Sequence, residues 1–344
     1  MPKPTLPRVC FDRVLPQDVM KFQSVTQPTR GPMRAIAIIR KQWINGSTLR
    51  VRFLGGTTAQ QAIAREQAGW WTQHANLKFD FNNALDAEIR VSFNANDGAW
   101  SYIGTDCKGI PNGQATMNLG FLDGGTAGHE FGHAIGLGHE HQNPDGGILW
   151  NEAVVIQALG GAPNNWPPAQ ARHNVIDKYS ANQIRGTKFD PKSIMLYFFP
   201  AEWTLNGIAT TQNEVLSATD KAFVASAQIY PKTGPGVEGA VELKVNAKSA
   251  TKASIGKPME EDLFKFTVAA GGRHTIETSG PTDLVMKLFG PDSQTALITE
   301  DDDSGTGSNA RIIADLIPGL YYVQVRHWDR ATGTGTYRIK AKKA

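Results

Sequence analysis

The sequence predicts two domains: an α+β domain, built as a twisted mixed sheet with one site-bearing helix, followed by an all-β sandwich. Three observations carry that reading. Between residues 48 and 119, short runs of alternating polarity are interleaved with one stretch of helical periodicity. Directly after them, two histidines stand four residues apart in HEFGHAIGLGH, the spacing of one helix face. Beyond the Gly/Pro-rich stretch TGPGVEG, helical periodicity ceases and only short alternating runs remain. The expected boundaries are an N-terminal arm or propeptide remnant over 1–34, the first domain over 35–232, a linker over 233–239 and the sandwich over 240–344.

The arm is Pro-rich (Pro4, Pro7, Pro16, Pro28, Pro32) and lacks periodicity, so it reads as extended. Thr48–Phe53 alternates as a half-buried strand and stops at Gly55-Gly56. Ala59–Ala75 then sets Ala62, Ile63, Gln67, Trp70 and Trp71 at helical spacing, with Thr57 or Thr58 as N-cap. Leu77–Phe81, Glu88–Phe93 and Gln114–Leu119 are three further strands, the last just ahead of the histidines.

In HEFGHAIGLGH, His129 and His133 project from one side of a helix toward a common point. Glu130 is rotated by about 100° from His129, which suits a base beside a metal-bound water better than a further ligand. Gly136 permits a positive φ, so the helix ends there and His139 can return to the same point. Three neutral imidazoles and one open position make the catalytic, not the structural, arrangement of zinc. Histidines that were merely packed would not account for Glu130 and Gly136.

Downstream, Pro144, Gly146, Gly147, Pro163, Pro167 and Pro168 break any long element. A last helix is expected over 216–231, with Ser217 as N-cap and Asp220 as its capping-box partner. In the second domain DLFKFTV, RHTIETS, LVMKLFG, ARIIADL, LYYVQVRH and TYRIKAK read as sandwich strands. Asp301, Asp302 and Asp303 are either calcium ligands or an exposed acidic turn.

Composition narrows the class. With 40% hydrophobic and 19% charged residues the chain is an ordinary globular protein, and a net charge of +3 from dispersed basic residues points away from nucleic acid and anionic membranes. No run of 18 apolar residues spans a membrane, and the opening MPKPTLPRVCFDRVLPQD has no apolar core, so the chain is either trimmed or without a standard export signal. Two cysteines, Cys10 and Cys107, allow one disulfide at most.

The motif from His129 to His139 resembles the extended zinc signature of the metzincin peptidases, and Glu140 after it resembles the astacin branch. Ser193-Ile194-Met195-x-Tyr197 is similar to the Met-turn of astacins. EHQNPDGG lacks the usual Arg and Asp run of that branch, and its four cysteines are missing. The resemblance implies that Met195 forms an apolar floor beneath the metal and that Tyr197 is a displaceable ligand that swings to the oxyanion. It also implies that the last strand before the zinc helix, made of Gly113, Gln114, Ala115, Thr116, Met117, Asn118 and Leu119, is an edge that pairs with bound peptide. The second half resembles the pre-peptidase C-terminal domain of bacterial secreted peptidases, through Asp262-x-Phe264-x-Phe266, Asp301-Asp302-Asp303-Ser304-Gly305 and Pro318-Gly319-x-Tyr321-Tyr322.

The resulting expectation is a secreted, monomeric zinc endopeptidase acting on protein or peptide substrates, with Glu130 as general base and Tyr197 at the oxyanion. A non-catalytic adhesion protein and a zinc hydrolase of non-peptide substrates are the rivals, and Glu130 argues against the first. For the cysteines, a Cys10–Cys107 bridge competes with two free thiols and with a third arrangement. PRVC resembles the cysteine-switch segment of matrixins, which implies that Cys10 closes the open metal position.

Overall fold

Alternation builds the first sheet. Along Thr48–Phe53, Leu49 and Val51 are buried while Thr48 is exposed; along Ile89–Ser92, Ile89 and Val91 are buried, and so is Arg90 between them, its guanidinium donating to the Ala87, Ile110 and Gln114 carbonyls. The computed structural model describes residues 10–13, 37–38, 41–162, 164–179, 184–185, 189–226, 229–232 and 236–343. Its first unit holds a six-stranded sheet of order β1-β6-β7-β5-β3-β4. Here β1 is Phe11–Arg13, β3 Thr48–Phe53, β4 Lys78–Asp80, β5 Ile89–Ser92, β6 Ala99–Tyr102 and β7 Met117–Leu119, while β2 (Ala37–Ile38) pairs separately with β8 (Ile184–Arg185). Strands β3, β5 and β7 run parallel, β6 runs against β7, and β1 lies parallel to β6 with Phe11 opposite Trp100.

Helix α1 (Thr58–Thr72) starts at a capping box in which Thr57 and Gln60 satisfy each other's backbone N–H groups, and it buries Ala64, Gln67, Ala68 and Trp71. Helix α2 (Thr126–Ala134) carries the histidines. Helix α3 (Glu152–Gly160) was hidden from sequence reasoning by the prolines and glycines on either side of it. The helix expected over 216–231 is α4 (Ala218–Val224), with the Ser217–Asp220 capping box in place, and positions 227–228 lie outside the described residues.

The topology corrects the expected substrate edge. Of Gly113 to Leu119 only Met117–Leu119 is strand, and it lies inside the sheet between β6 and β5. Backbone groups of Gln114 and Thr116 are already bonded within the protein: Arg90 Nε donates to the Gln114 carbonyl, Thr116 N to the Arg90 carbonyl and Tyr102 N to the Thr116 carbonyl. Beyond β7 lies β6, AWSY, too short to be read from alternation, and β1 pairs along the other side of β6 as the edge of the sheet.

The second unit comprises residues 44–48 and 230–344. One sheet has the order β10 (Thr251–Ile255), β17 (Gly335–Lys343), β12 (Gly272–Ser279), β15 (Arg311–Leu316). The other has the order β14 (Leu297–Asp301), β13 (Leu284–Phe289), β16 (Gly319–His327), β11 (Glu261–Val268), β9 (Val241–Glu242). Phe264, Phe266, Ile276, Met286, Val323 and Ile339 form its core. Of the expected linker, 233–235 lie outside the described residues, and Val237–Gly239 forms a 3₁₀ turn in which Val237 is buried against Ile44 and Leu263.

The calcium expectation is corrected here. Asp301 accepts the backbone N–H groups of Ser304 and Arg311 through one carboxylate oxygen, and Asp302 and Asp303 are exposed to water. Among the described residues these carboxylates do not converge as a ligand group, so this is an acidic turn. Nor is any described helix long and apolar enough to cross a membrane.

Candidate active site

All nine residues of α2 are buried, and α1 holds the helix there. Trp71 Nε1 donates to the Gly128 carbonyl at 2.7 Å, and the Gln67 amide bridges Gly124 O and Gly128 N. Gly132 is required by contact, because a Cβ at that position would stand 2.4 Å from Met195 Sδ. The chain leaves the helix at Gly136, whose φ of +98° belongs to the left-handed region, and His139 is thereby carried back to the helical pair.

His129 Nε2 and His139 Nε2 lie 3.1 and 3.0 Å from His133 Nε2. His129 Nδ1 lies 2.7 Å from the Ile194 carbonyl and His133 Nδ1 2.8 Å from the Leu137 carbonyl. A carbonyl can only accept, so those two Nδ1 atoms carry the protons and the two Nε2 lone pairs face inward. Bare lone pairs at such distances repel unless a cation lies among them, and a tetrahedral zinc with nitrogens at about 2.0–2.1 Å spaces its ligands by roughly 3.3 Å. The residues therefore fit zinc. Burial lowers the His129 pKa to about 4 and holds those of His133 and His139 well below the usual histidine range, which keeps all three rings neutral and able to bind metal.

Glu130 is fully buried beside this cluster. The Cys10 thiol forms a second convergent group with His129 and Glu130, the three ligand atoms lying within 4.8 Å of one another. Burial first, then the Glu130 carboxylate, pushes that thiol well above its ordinary value. Tyr197 donates its phenol hydrogen to the Cys10 carbonyl, while its ring lies 4.3 Å from that of His139. Both cysteines are free, so the expected bridge does not form. Cys107 is enclosed in the 3₁₀ helix Gly104–Gly109 with its thiol pushed up to about 12 by burial, whereas Cys10 stands at the histidines.

Met195 is buried under Gly132, and its carbonyl accepts the backbone N–H of Glu140 at 2.9 Å. Glu140 Oε1 accepts from Asp190 N and Asn143 Nδ2, and burial raises that carboxyl to about 8. Sequence reasoning missed His141. Its ring lies 4.4 Å from that of Tyr197, and its Nε2 is 2.8 Å from the Asn174 carbonyl. The only sequence signal was its position two residues beyond His139.

Comparison with known proteins agrees with this arrangement. Residues 36–219, more than half of the chain, match the family model described as Astacin, a peptidase family, and residues 260–327 match the bacterial pre-peptidase C-terminal domain. Blastula protease 10 of Paracentrotus lividus is 28% identical over 148 residues, which are 41% of this chain and 23% of that protein. Astacin-like metalloprotease toxin 1 of Loxosceles intermedia is 27% identical over 164 residues, 47% of this chain and 56% of that one. The chain thus spans from about a quarter to just over half of these relatives. A solved structure of myroilysin is 36% identical with a TM-score of 0.55, covering 58% of this chain and all of that one. The chain belongs to the astacin family, with a bacterial pre-peptidase C-terminal domain following the astacin domain.

Proposed function

We propose that the chain is a secreted zinc endopeptidase that hydrolyses protein substrates, held closed here by its own N-terminal arm. The observation that carries the reading is the convergence of three neutral imidazoles beside a buried carboxylate, with a phenol ring 4.3 Å from that of His139. His129, His133 and His139 would hold zinc, which supplies a Lewis acid and lowers the pKa of a bound water. Glu130 accepts the proton of the attacking water and passes it to the departing amine. Tyr197 Oη donates to the oxyanion as the carbonyl becomes tetrahedral. Strand β6 offers its outer backbone to an extended peptide once β1 has left.

Cys10 engages both sides of this machinery. Its thiol meets Glu130 and its carbonyl takes the Tyr197 hydroxyl, so one residue occupies the base and the oxyanion donor together. Removal of the arm is therefore the activating event. Trimming the arm should release peptidase activity, whereas Cys10→Ala frees Glu130 but leaves the residue-10 carbonyl on Tyr197 and β1 on β6, so it should release less; a full-length variant as inactive as the parent would assign latency to β1 rather than to the thiol.

The catalytic reading is tested on the arm-trimmed protein with casein, with and without a chelator. Glu130→Gln keeps the shape of the carboxylate but cannot take a proton, so it should retain zinc and lose at least about 10²-fold in turnover. Zinc content and turnover are measured on one sample. A variant keeping more than about a tenth of the parent rate removes Glu130 from the base role.

A further inference from the structure

We infer that Asp220, at the start of α4, is a positioning residue for the metal centre, acting on His129 through Ser193 and a peptide of the turn beneath the histidines. The inference rests on the metal-binding reading above. Asp220 is 2% exposed, and its carboxylate is distant in sequence from every ligand. Ser193 Oγ donates to Asp220 Oδ1 at 2.7 Å, and Met195 N donates to Ser193 Oγ at 3.1 Å. The N–H of Met195 and the carbonyl of Ile194 belong to one peptide unit, and that carbonyl accepts His129 Nδ1–H at 2.7 Å. The chain therefore runs carboxylate, hydroxyl, peptide, imidazole.

Each link polarises the next in the same sense. A carboxylate accepting the Ser193 hydrogen makes that oxygen a better acceptor for Met195 N–H, and the same peptide's carbonyl then becomes a stronger acceptor for His129. Histidine ligands are commonly oriented by a carboxylate on the second ring nitrogen; here the carboxylate stands two links away. A second bond fixes the same turn, since Ile194 N donates to Asp220 Oδ2 at 2.9 Å. The far end of the turn reaches the third ligand, because the Met195 carbonyl accepts Glu140 N next to His139. One buried side chain thus sets the backbone against which both His129 and the residue after His139 rest.

Asp220 also caps α4, accepting Ser217 N at 2.9 Å, so a plainly structural role must be separated from this one. Zinc affinity is measured by competition with a chromogenic chelator for the parent, Asp220→Ala, Ser193→Ala, their double variant and Ser217→Ala. Asp220→Ala and Ser193→Ala should each weaken zinc binding by about 10- to 100-fold. The double variant should lose no more than the worse single, because both act through one chain. Ser217→Ala, which removes the hydroxyl from Asp220 N and from Asp190 Oδ2 but none of the links that lead to His129, should lower the melting temperature and leave affinity unchanged. In the metal-free protein, the ¹⁵N shifts of His129 should show the Nδ1–H tautomer weakened in Ser193→Ala.

Unchanged affinity in both single variants alongside a lower melting temperature overturns the inference, as does a double variant whose losses multiply. If Asp220→Ala does not fold, Asp220→Asn, which keeps an acceptor and removes the charge, is read in its place by the same criteria. A parent that binds no zinc refutes the underlying metal reading, and that outcome is distinct from variants that match a zinc-binding parent.

Discussion

Tyr197 is the residue whose role depends most on what occupies the cleft. Its hydroxyl donates to the Cys10 carbonyl while β1 lies along β6, and in the proposed reaction the oxyanion would take the same donor once the arm has gone. Tyr197→Phe should therefore slow the trimmed enzyme by roughly 10- to 1000-fold with zinc retained, as expected for loss of one oxyanion donor. The comparison is turnover against zinc content, and an unchanged rate would reduce Tyr197 to a packing residue of the turn. The pairing of His129 with His133 could be read from spacing, since positions four apart on a helix share a face whatever surrounds them, and Gly136 marked the turn that returns His139 to them. Cys10 could not be placed that way, because nothing local to PRVC fixes where an extended arm docks.

At the scale of elements, the turn that ends α2 makes a sharp demand on one position. Gly136 sits at φ +98°, where an L side chain costs about 1–2 kcal/mol, and a Cβ there would meet the Lys41 carbonyl at 3.3 Å. Gly136→Ala should lower the melting temperature and weaken zinc binding, because relieving the strain moves His139 off the point it shares with His133. Thermal unfolding with and without zinc checks this: a variant destabilised equally in both conditions would leave His139 in place. Helix α1 and strand β3 were legible because each carries many residues of one period. Strand β6 was not, since its four residues hold too few alternations, and its place in the sheet depends on pairing with β7 and β1.

Across the whole molecule, each unit has a core of its own, and buried charge in the sandwich gives a pH test that is independent of the metal centre. Burial raises the Asp262 carboxyl above its ordinary 3.8, outweighing the hydrogen bond that Tyr337 donates to it at 2.6 Å. The folded sandwich thus keeps this proton to higher pH than the unfolded chain does. Its stability contribution is favourable in acid and is lost as pH rises from 3.8 through the raised value. Asp262→Asn keeps the acceptor for Tyr337 and cannot ionise, so its melting temperature should match the parent in acid and exceed it near neutrality. Melts from about pH 3 to about pH 7 decide the matter, and curves that stay parallel would mean that Asp262 has the same pKa folded and unfolded.

By itself the sequence determined the class of both domains and the three histidines with Glu130 and Gly136, because periodicity and short spacing act within a few residues; the turn bearing Met195 and Tyr197 was legible only through its resemblance to the astacin Met-turn. Tertiary structure alone decided what depends on distant pairing. It put β7 inside the sheet with β6 and then β1 beyond it, brought Cys10 to the histidines instead of to Cys107, and drew residues 44–48 into the second unit. It also connected Asp220 to His129 through Ser193 and a turn peptide. The physical reason is common to all four: backbone hydrogen bonds and buried side chains choose partners by geometry after the chain has folded back, and no local pattern of residue types records which partner that will be.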